Sequence, residues 1–123
     1  MNTQEIADKL VAFCREGKFN EAYSLYAQDA VSVEMPGMPN EVTEGLDNIL
    51  EGFKQWGESI QETHGGSVGD PVVVGNHFAV PMTSDVTFKD GNRMDMEEIC
   101  LYQVENGKIT KASFHYDTSM MGQ

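Results

Sequence analysis

The chain has 123 residues, the size of one domain spanning 1-123, with no room for two. Hydrophobic residues make up 40% and aromatic residues 9%, which is enough for a core and excludes a disordered chain. Twenty Asp and Glu against eight Lys and Arg leave a net charge of −12 with no basic stripe, a surface that repels phosphate backbones and anionic membranes; neither nucleic acid nor membrane is an expected partner.

The first predicted element is a helix. Asn2 or Thr3 can cap it, Ile6, Ala7, Leu10, Val11, Phe13 and Cys14 recur at helical spacing, and Gly17 is placed to end it. Asn20 is the predicted cap of a short second helix carrying Ala22, Tyr23, Leu25 and Tyr26. Alternation from Ala30 to Met35 predicts a strand, and Pro36, Gly37 and Pro39 make the next segment a loop. A third helix follows, with Thr43 as its predicted cap and Leu46, Ile49, Leu50, Phe53, Trp56 and Ile60 as its apolar stripe. The remainder reads as β structure, with strands at Glu62–Gly69, Pro71–Val74, Phe78–Lys89, Asn92–Glu105 and Lys108–Thr118. Helices first and a curved antiparallel sheet afterwards define an α+β domain. No apolar run approaches the ~20 residues of a membrane span, and Met1-Asn2-Thr3-Gln4-Glu5 lacks the pattern of a secretory signal, so a cytoplasmic location is expected. Cys14 and Cys100 fall inside apolar patterns and read as reduced core thiols.

Two turn signals predict strand register. Asp90-Gly91 and Asn106-Gly107 are favoured in two-residue hairpins, whose central residues need positive φ. Pairing Lys89 with Asn92 and Glu105 with Lys108 predicts two rows on one face, Asp85–Met96–Asp117 and Thr83–Glu98–His115. The other face would hold Val80, Met82, Val86, Phe88, Ile99, Leu101, Ala112, Phe114 and Tyr116. Paired carboxylates in an apolar enclosure split their pKa values into one acid and one base, so Asp85 and Asp117, enclosed by Met94, Met96 and Tyr102, are candidates for proton transfer. The competing reading of that face is a solvated surface that keeps the protein soluble. Glu98 and His115, as cross-strand neighbours, could be a base with its orienting partner or an ordinary ion pair. His64 and His77 sit at turn-like positions. No second close-spaced ligand pair supports a metal site, and no nucleotide-binding or nucleophile-elbow motif is present, so neither metal nor cofactor is expected.

The order of elements resembles the nuclear transport factor 2-like superfamily. Gly17-Lys-Phe-Asn-Glu-Ala-Tyr-Ser-Leu-Tyr-Ala-Gln-Asp-Ala30 is similar to its helix-2 signature, and Glu105-Asn-Gly-Lys-Ile109 through His115-Tyr-Asp117 to its last hairpin. The resemblance covers nearly the whole chain and is nearest to SnoaL-like proteins. It implies a cone-shaped fold with a pocket between sheet and helices, and a homodimer formed through the sheet. Ketosteroid isomerases in this superfamily carry functional Asp, Tyr and Asp where this chain has Met35, Leu10 and Cys100, which speaks against that activity. Limonene-epoxide hydrolases match in part: their Arg-x-Asp falls on Thr83-Ser84-Asp85 and their last acid on Asp117, while their arginine and a pocket tyrosine, here Ser32, are lost. In SnoaL-type polyketide cyclases a single pocket Asp moves protons, a role open to Asp117 or Asp85.

Two functions remain open from the sequence. One is a cofactor-independent general acid/base enzyme for a small, apolar, oxygenated molecule, with Asp117 and Asp85 as acid and base, His115 and Glu98 orienting or relaying, and Glu34, Met96, Tyr102 and Trp56 contacting the ligand. The other is a non-catalytic ligand-binding or dimeric interaction domain, whose acids would titrate near the ordinary ~4.

Overall fold

The N-terminal sequence contains its own helix start and stop. In the computed structural model, which describes residues 1–38 and 41–117, Asn2 and Glu5 form a reciprocal capping box at the start of α1 (Thr3–Arg15). The Asn2 side chain accepts from the Glu5 N–H at 2.8 Å, and the Glu5 carboxylate accepts from the Asn2 N–H at 3.0 Å. Gly17, at φ +72°, lets the chain turn back so that the Lys18 N–H reaches the Phe13 carbonyl at 2.8 Å. The apolar stripe then buries Ile6, Ala7, Leu10 and Val11.

The second helix, α2 (Phe19–Tyr23), starts earlier and stops sooner than the sequence predicts, with Lys18 rather than Asn20 at its cap position. Tyr26 opens strand β1 (Tyr26–Val33) instead of ending a helix, because it pairs with Ile109 and the Leu25 carbonyl accepts from the Ile109 N–H at 3.0 Å. Long-range pairing here overrides local helix propensity. The sequence missed β2 (Val42–Glu44), which lies antiparallel against β1 and contains Thr43, the expected cap of the third helix. That helix, α3 (Leu46–Ser59), begins after Gly45, whose φ of +90° and N–H bond to the Ala30 carbonyl at 2.8 Å turn the chain. The predicted loop residue Pro39 and the strand end Thr118 lie outside the described residues.

The rest is β3 (Ile60–Val68), β4 (Val72–Val74), β5 (His77–Phe88), β6 (Arg93–Glu105) and β7 (Lys108–His115). Among the described residues the sheet has seven strands in the order β2-β1-β7-β6-β5-β3, with β4 also paired to β5. Its pairings are antiparallel except β1 with β7, which run parallel. Irregularities in β1, β3 and β7 bend the strands around the helices.

Both hairpin registers depart from expectation by one residue. At Asp90-Gly91 only Gly91 has positive φ, the Phe88 N–H donates to the Asn92 carbonyl at 2.8 Å, and Thr87 pairs with Arg93; the loop therefore holds three residues, not two. The turn at Asn106-Gly107 is the expected one, with φ of 52° and 76° and Glu105 opposite Lys108. A bulge at Thr110 then moves the pairing on by one, so that Ile99 faces His115. Together these changes exchange the two faces of β6 relative to both neighbours. The rows Asp85–Met96–Asp117 and Thr83–Glu98–His115 do not form: Asp85 faces Asp95, Met96 faces Ser84, and Thr83 faces Glu97.

The core lies between the inner sheet face and the helices. Phe78, Val80, Cys100, Tyr102, Val104, Ile109 and Ala112 pack there against Ile6, Leu10, Val11 and Ile49. Phe78 stacks on its cross-strand partner Tyr102 with centroids 4.8 Å apart. Ile99 and Leu101, expected on the face of Val80 and Phe114, are on the outer face and exposed.

Candidate functional site

The exchange of faces brings Glu98 inward. It follows Cys100 and Tyr102 along β6 and lies opposite Met82 of β5. On its other side the next position past the paired end of β7 is Tyr116. Glu34 comes just after β1, one position beyond the Val33–Ser113 pair, so strand alternation puts it on the same inner face. The Tyr116 hydroxyl donates to Glu34 Oε1 at 3.1 Å, tying the chain after β1 to the chain after β7.

The surroundings of these two carboxyls are apolar or only weakly polar. The inner positions of β5, β6 and β7, together with Ala30 and Ser32 of β1, include no Lys, Arg or His. Burial pushes the Glu34 carboxyl above its ordinary range, and the Tyr116 hydrogen bond opposes this. Burial also pushes Glu98 up, and the nearby Glu34 charge pushes it further, while the Cys100 thiol pulls it slightly back. Tyr23 of α2 feels both carboxylates, and burial raises its phenol well above the usual value. Behind them Tyr26 and Tyr102 are fully enclosed phenols whose ionisation burial suppresses, and the Cys100 thiol is suppressed in the same way. Two carboxyls that interact in a part-buried site titrate as a pair, with one proton held to higher pH than either acid would hold alone.

Asp85 is on the outer face instead, in a two-pronged ion pair with Arg93 at 3.0 and 2.9 Å. The guanidinium holds its carboxyl below the usual range, the opposite of what an apolar enclosure would do. His64 is nearby, 2.7 Å from the Thr87 hydroxyl and 3.8 Å from Glu62. His115 is exposed and lies 3.1 Å from the Ser113 hydroxyl; its cross-strand partner is Ile99, not Glu98. Asp117 is exposed on the same side and, with Pro81, Met82, Thr83, Glu97, Glu98, Ile99 and His115, lines an open groove of about 480 Å³. Met96 is half-buried on the inner face, and Tyr102 is part of the core. Trp56 of α3 meets Phe88 edge-on at 5.3 Å while staying 38% exposed, at the rim of the helix–sheet contact. Among the described residues no group of three or more His, Cys, Asp and Glu could hold a metal ion, and no helix is long and apolar enough to cross a membrane.

The structure thus joins Glu34 and Glu98, which the sequence named separately, and parts Asp85 and Asp117 from Met96. The sequence reading missed Tyr116 as a polar partner because its register placed that residue on the apolar face. A signal was present: Ile109 is out of phase with Ala112, Phe114 and Tyr116, as an extra residue between them requires.

A family model for the SnoaL-like domain matches residues 1–116. No curated protein matches the chain. Among solved structures, a candidate SnoaL-like polyketide cyclase from Mesorhizobium loti, also described as a carbohydrate phosphatase, is similar at 39% identity and a TM-score of 0.85, over 94% of this chain and 100% of that one. An NTF2-like protein of unknown function from Burkholderia pseudomallei shares 17% identity with a TM-score of 0.81, over 98% and 95% of the two chains. TerC, crystallised with polyporic acid, shares 19% identity with a TM-score of 0.73, over 94% and 91%. These likenesses establish the NTF2-like, cystatin-like fold that the order of elements implied.

Proposed function

The chain belongs to the SnoaL-like domain family, and from that premise we propose that it is a small-molecule pocket protein acting as a cofactor-independent general acid/base enzyme, of isomerase, cyclase or hydrolase type, on a small apolar oxygenated substrate. The observation that carries the proposal is the Glu34–Glu98 pair: two carboxyls on an apolar face, with raised proton affinity and no basic residue at the neighbouring inner positions. Such a pair holds its last proton to higher pH than a lone carboxyl does, so a single site can supply an acid and a base. The ionised carboxylate would take a proton from the carbon next to a substrate carbonyl while the protonated partner gives its proton to the carbonyl oxygen, forming an enol. Where the enol is a conjugated dienol, return of the first proton to its far carbon, with the hydroxyl proton going back to the carboxylate that gave it, completes an isomerisation. Attack of the enol carbon on a second carbonyl, whose oxygen takes the first proton while the enol oxygen gives back its own, completes a cyclisation. TerC with polyporic acid supports the reading in that a protein of this fold accommodates an oxygenated small molecule.

The test is loss of the acid and base one at a time. Glu98→Gln and Glu34→Gln should each abolish deuterium exchange or turnover across a panel of carbonyl compounds while circular dichroism stays unchanged. Full activity in both variants refutes the assignment. A second reading places the chemistry in the open groove, whose lining includes His115 and Asp117 as well as Glu98; it is supported if Asp117→Asn removes activity while Glu34→Gln does not. A non-catalytic binding or interaction domain is the remaining alternative, and ordinary carboxyl titration near ~4 throughout would favour it. We also propose a cytoplasmic homodimer formed through the outer sheet face, where Ile99 and Leu101 are exposed; sedimentation of the parent and an Ile99→Lys variant tests it.

A further inference from the structure

The two inner carboxyls have different neighbours, and we propose that Tyr116 is a positioning residue that decides which of them keeps the shared proton: by holding Glu34 through its hydroxyl, it makes Glu34 the ionised base and leaves the proton on Glu98 as the acid. This inference rests on the acid/base reading of the same site and deepens it.

The geometry is asymmetric in three respects. First, the phenol donates to Glu34 Oε1 at 3.1 Å, and a donor favours the ionised form of the group it serves. Second, Tyr116 faces inward because of the bulge at Thr110; the register predicted without it would put Tyr116 out of phase with Glu98. Third, Glu98 has the Cys100 thiol, a weak donor, as its hydrogen-bond partner among the described residues, and it lies within the field of Glu34. Once Glu34 is charged, the second ionisation must place a like charge in the same part-buried region. The titratable groups facing Glu34 are Tyr116 after β7, Glu98 of β6 and Tyr23 of α2; those facing Glu98 are Glu34, Cys100, Tyr116 and Tyr23, with Glu97, His115 and Asp117 along the groove that Glu98 also lines. His115 is the one base among them, and it pairs with Ile99 on the outer side and lies against the Ser113 hydroxyl at 3.1 Å. Burial and both carboxylates also keep the Tyr116 phenol protonated well beyond its ordinary range, so it remains a donor wherever the carboxyls titrate.

The experiment is carbon-13 NMR of the glutamate carboxyls in the full chain from about pH 3 to 9, in the parent, Tyr116→Phe and Glu34→Gln. In the parent, Glu34 should ionise in the earlier step and Glu98 in the later one. Tyr116→Phe should move the Glu34 step upward by about one pH unit, the scale of a hydrogen bond to a charged group. Glu34→Gln should move the Glu98 step downward, because the like charge is gone. A merely structural role for Tyr116 would let water in and lower both steps. Glu98 ionising first in the parent overturns the inference without any variant, as does a Tyr116→Phe protein with both steps unmoved. If both carboxyls of the parent titrate at ordinary values, the acid/base reading fails as well; if they are raised but insensitive to Tyr116, only the positioning role fails.

Discussion

The face that β6 presents to the core can be tested with two adjacent substitutions, Tyr102→Ala and Leu101→Ala. Tyr102 is 4% exposed, stacked on Phe78 at 4.8 Å and edge-on to Tyr26 at 6.4 Å, whereas Leu101 is 37% exposed on the outer face. Removing a buried aromatic ring takes away its transfer free energy and leaves a cavity, at a cost of about 3–5 kcal/mol. An unfolding entropy of about 2.1 cal/mol/K per residue over 123 residues converts that loss into a fall in Tm of roughly 12–19 °C. Leu101→Ala should cost at most about 1 kcal/mol, since the side chain leaves little space behind in the fold. Urea melts with a common m value give both numbers, and repeating them at two protein concentrations separates any contribution from self-association. A two-residue turn at Asp90-Gly91 would have reversed the ranking. If Leu101→Ala proves the more costly, β6 is in the opposite phase, Glu98 faces outward, and the carboxyl pair does not exist.

Further outcomes follow from the same geometry. Glu98 binds its proton more tightly folded than unfolded, so the folded state is favoured below the unfolded value near 4.5 and loses that advantage as pH rises through the folded value; Glu98→Gln should therefore raise Tm at pH 8 and bring no gain at pH 4. Equal gain at both pH values would show that Glu98 is not desolvated. Asp85→Asn removes a surface ion pair and should leave the urea midpoint at pH 7 within experimental scatter; a large fall would place Asp85 in an enclosed site after all. At Gly66 an added Cβ would lie 2.7 Å from the Thr83 carbonyl oxygen, so Gly66→Ala should force β3 away from β5 and cost about 1–3 kcal/mol in urea. A neutral result there would mean that the two backbones are not in contact.

The first helix was legible because its signals are local. Asn2 with Glu5, Gly17, and the stripe of Ile6, Ala7, Leu10 and Val11 act within a few residues of one another, and the structure uses them as read. Tyr26 and Thr43 were misread because strand partners far along the chain claim them. In the candidate site, Glu98 and Glu34 could be named from the sequence as polar residues near the pocket, but their pairing could not. That required knowing how far each hairpin slides, and Asp90-Gly91 fits a two-residue or a three-residue loop equally well by composition.

The sequence by itself determined the acidic α+β character of the chain, the order of its elements apart from β2, and the family resemblance through which its fold could be anticipated. Only the tertiary structure decided which alternate residues of β6 face the helices. Ile99 and Leu101 on one side and Cys100 and Tyr102 on the other are both apolar enough to enter a core, so hydrophobic alternation cannot choose between them. The choice rests on one extra residue in a turn and one bulge in β7, where backbone hydrogen bonding across strands outweighs local preference. That one-residue shift turns Asp85 toward Arg93 and water, and carries Glu98 toward Glu34.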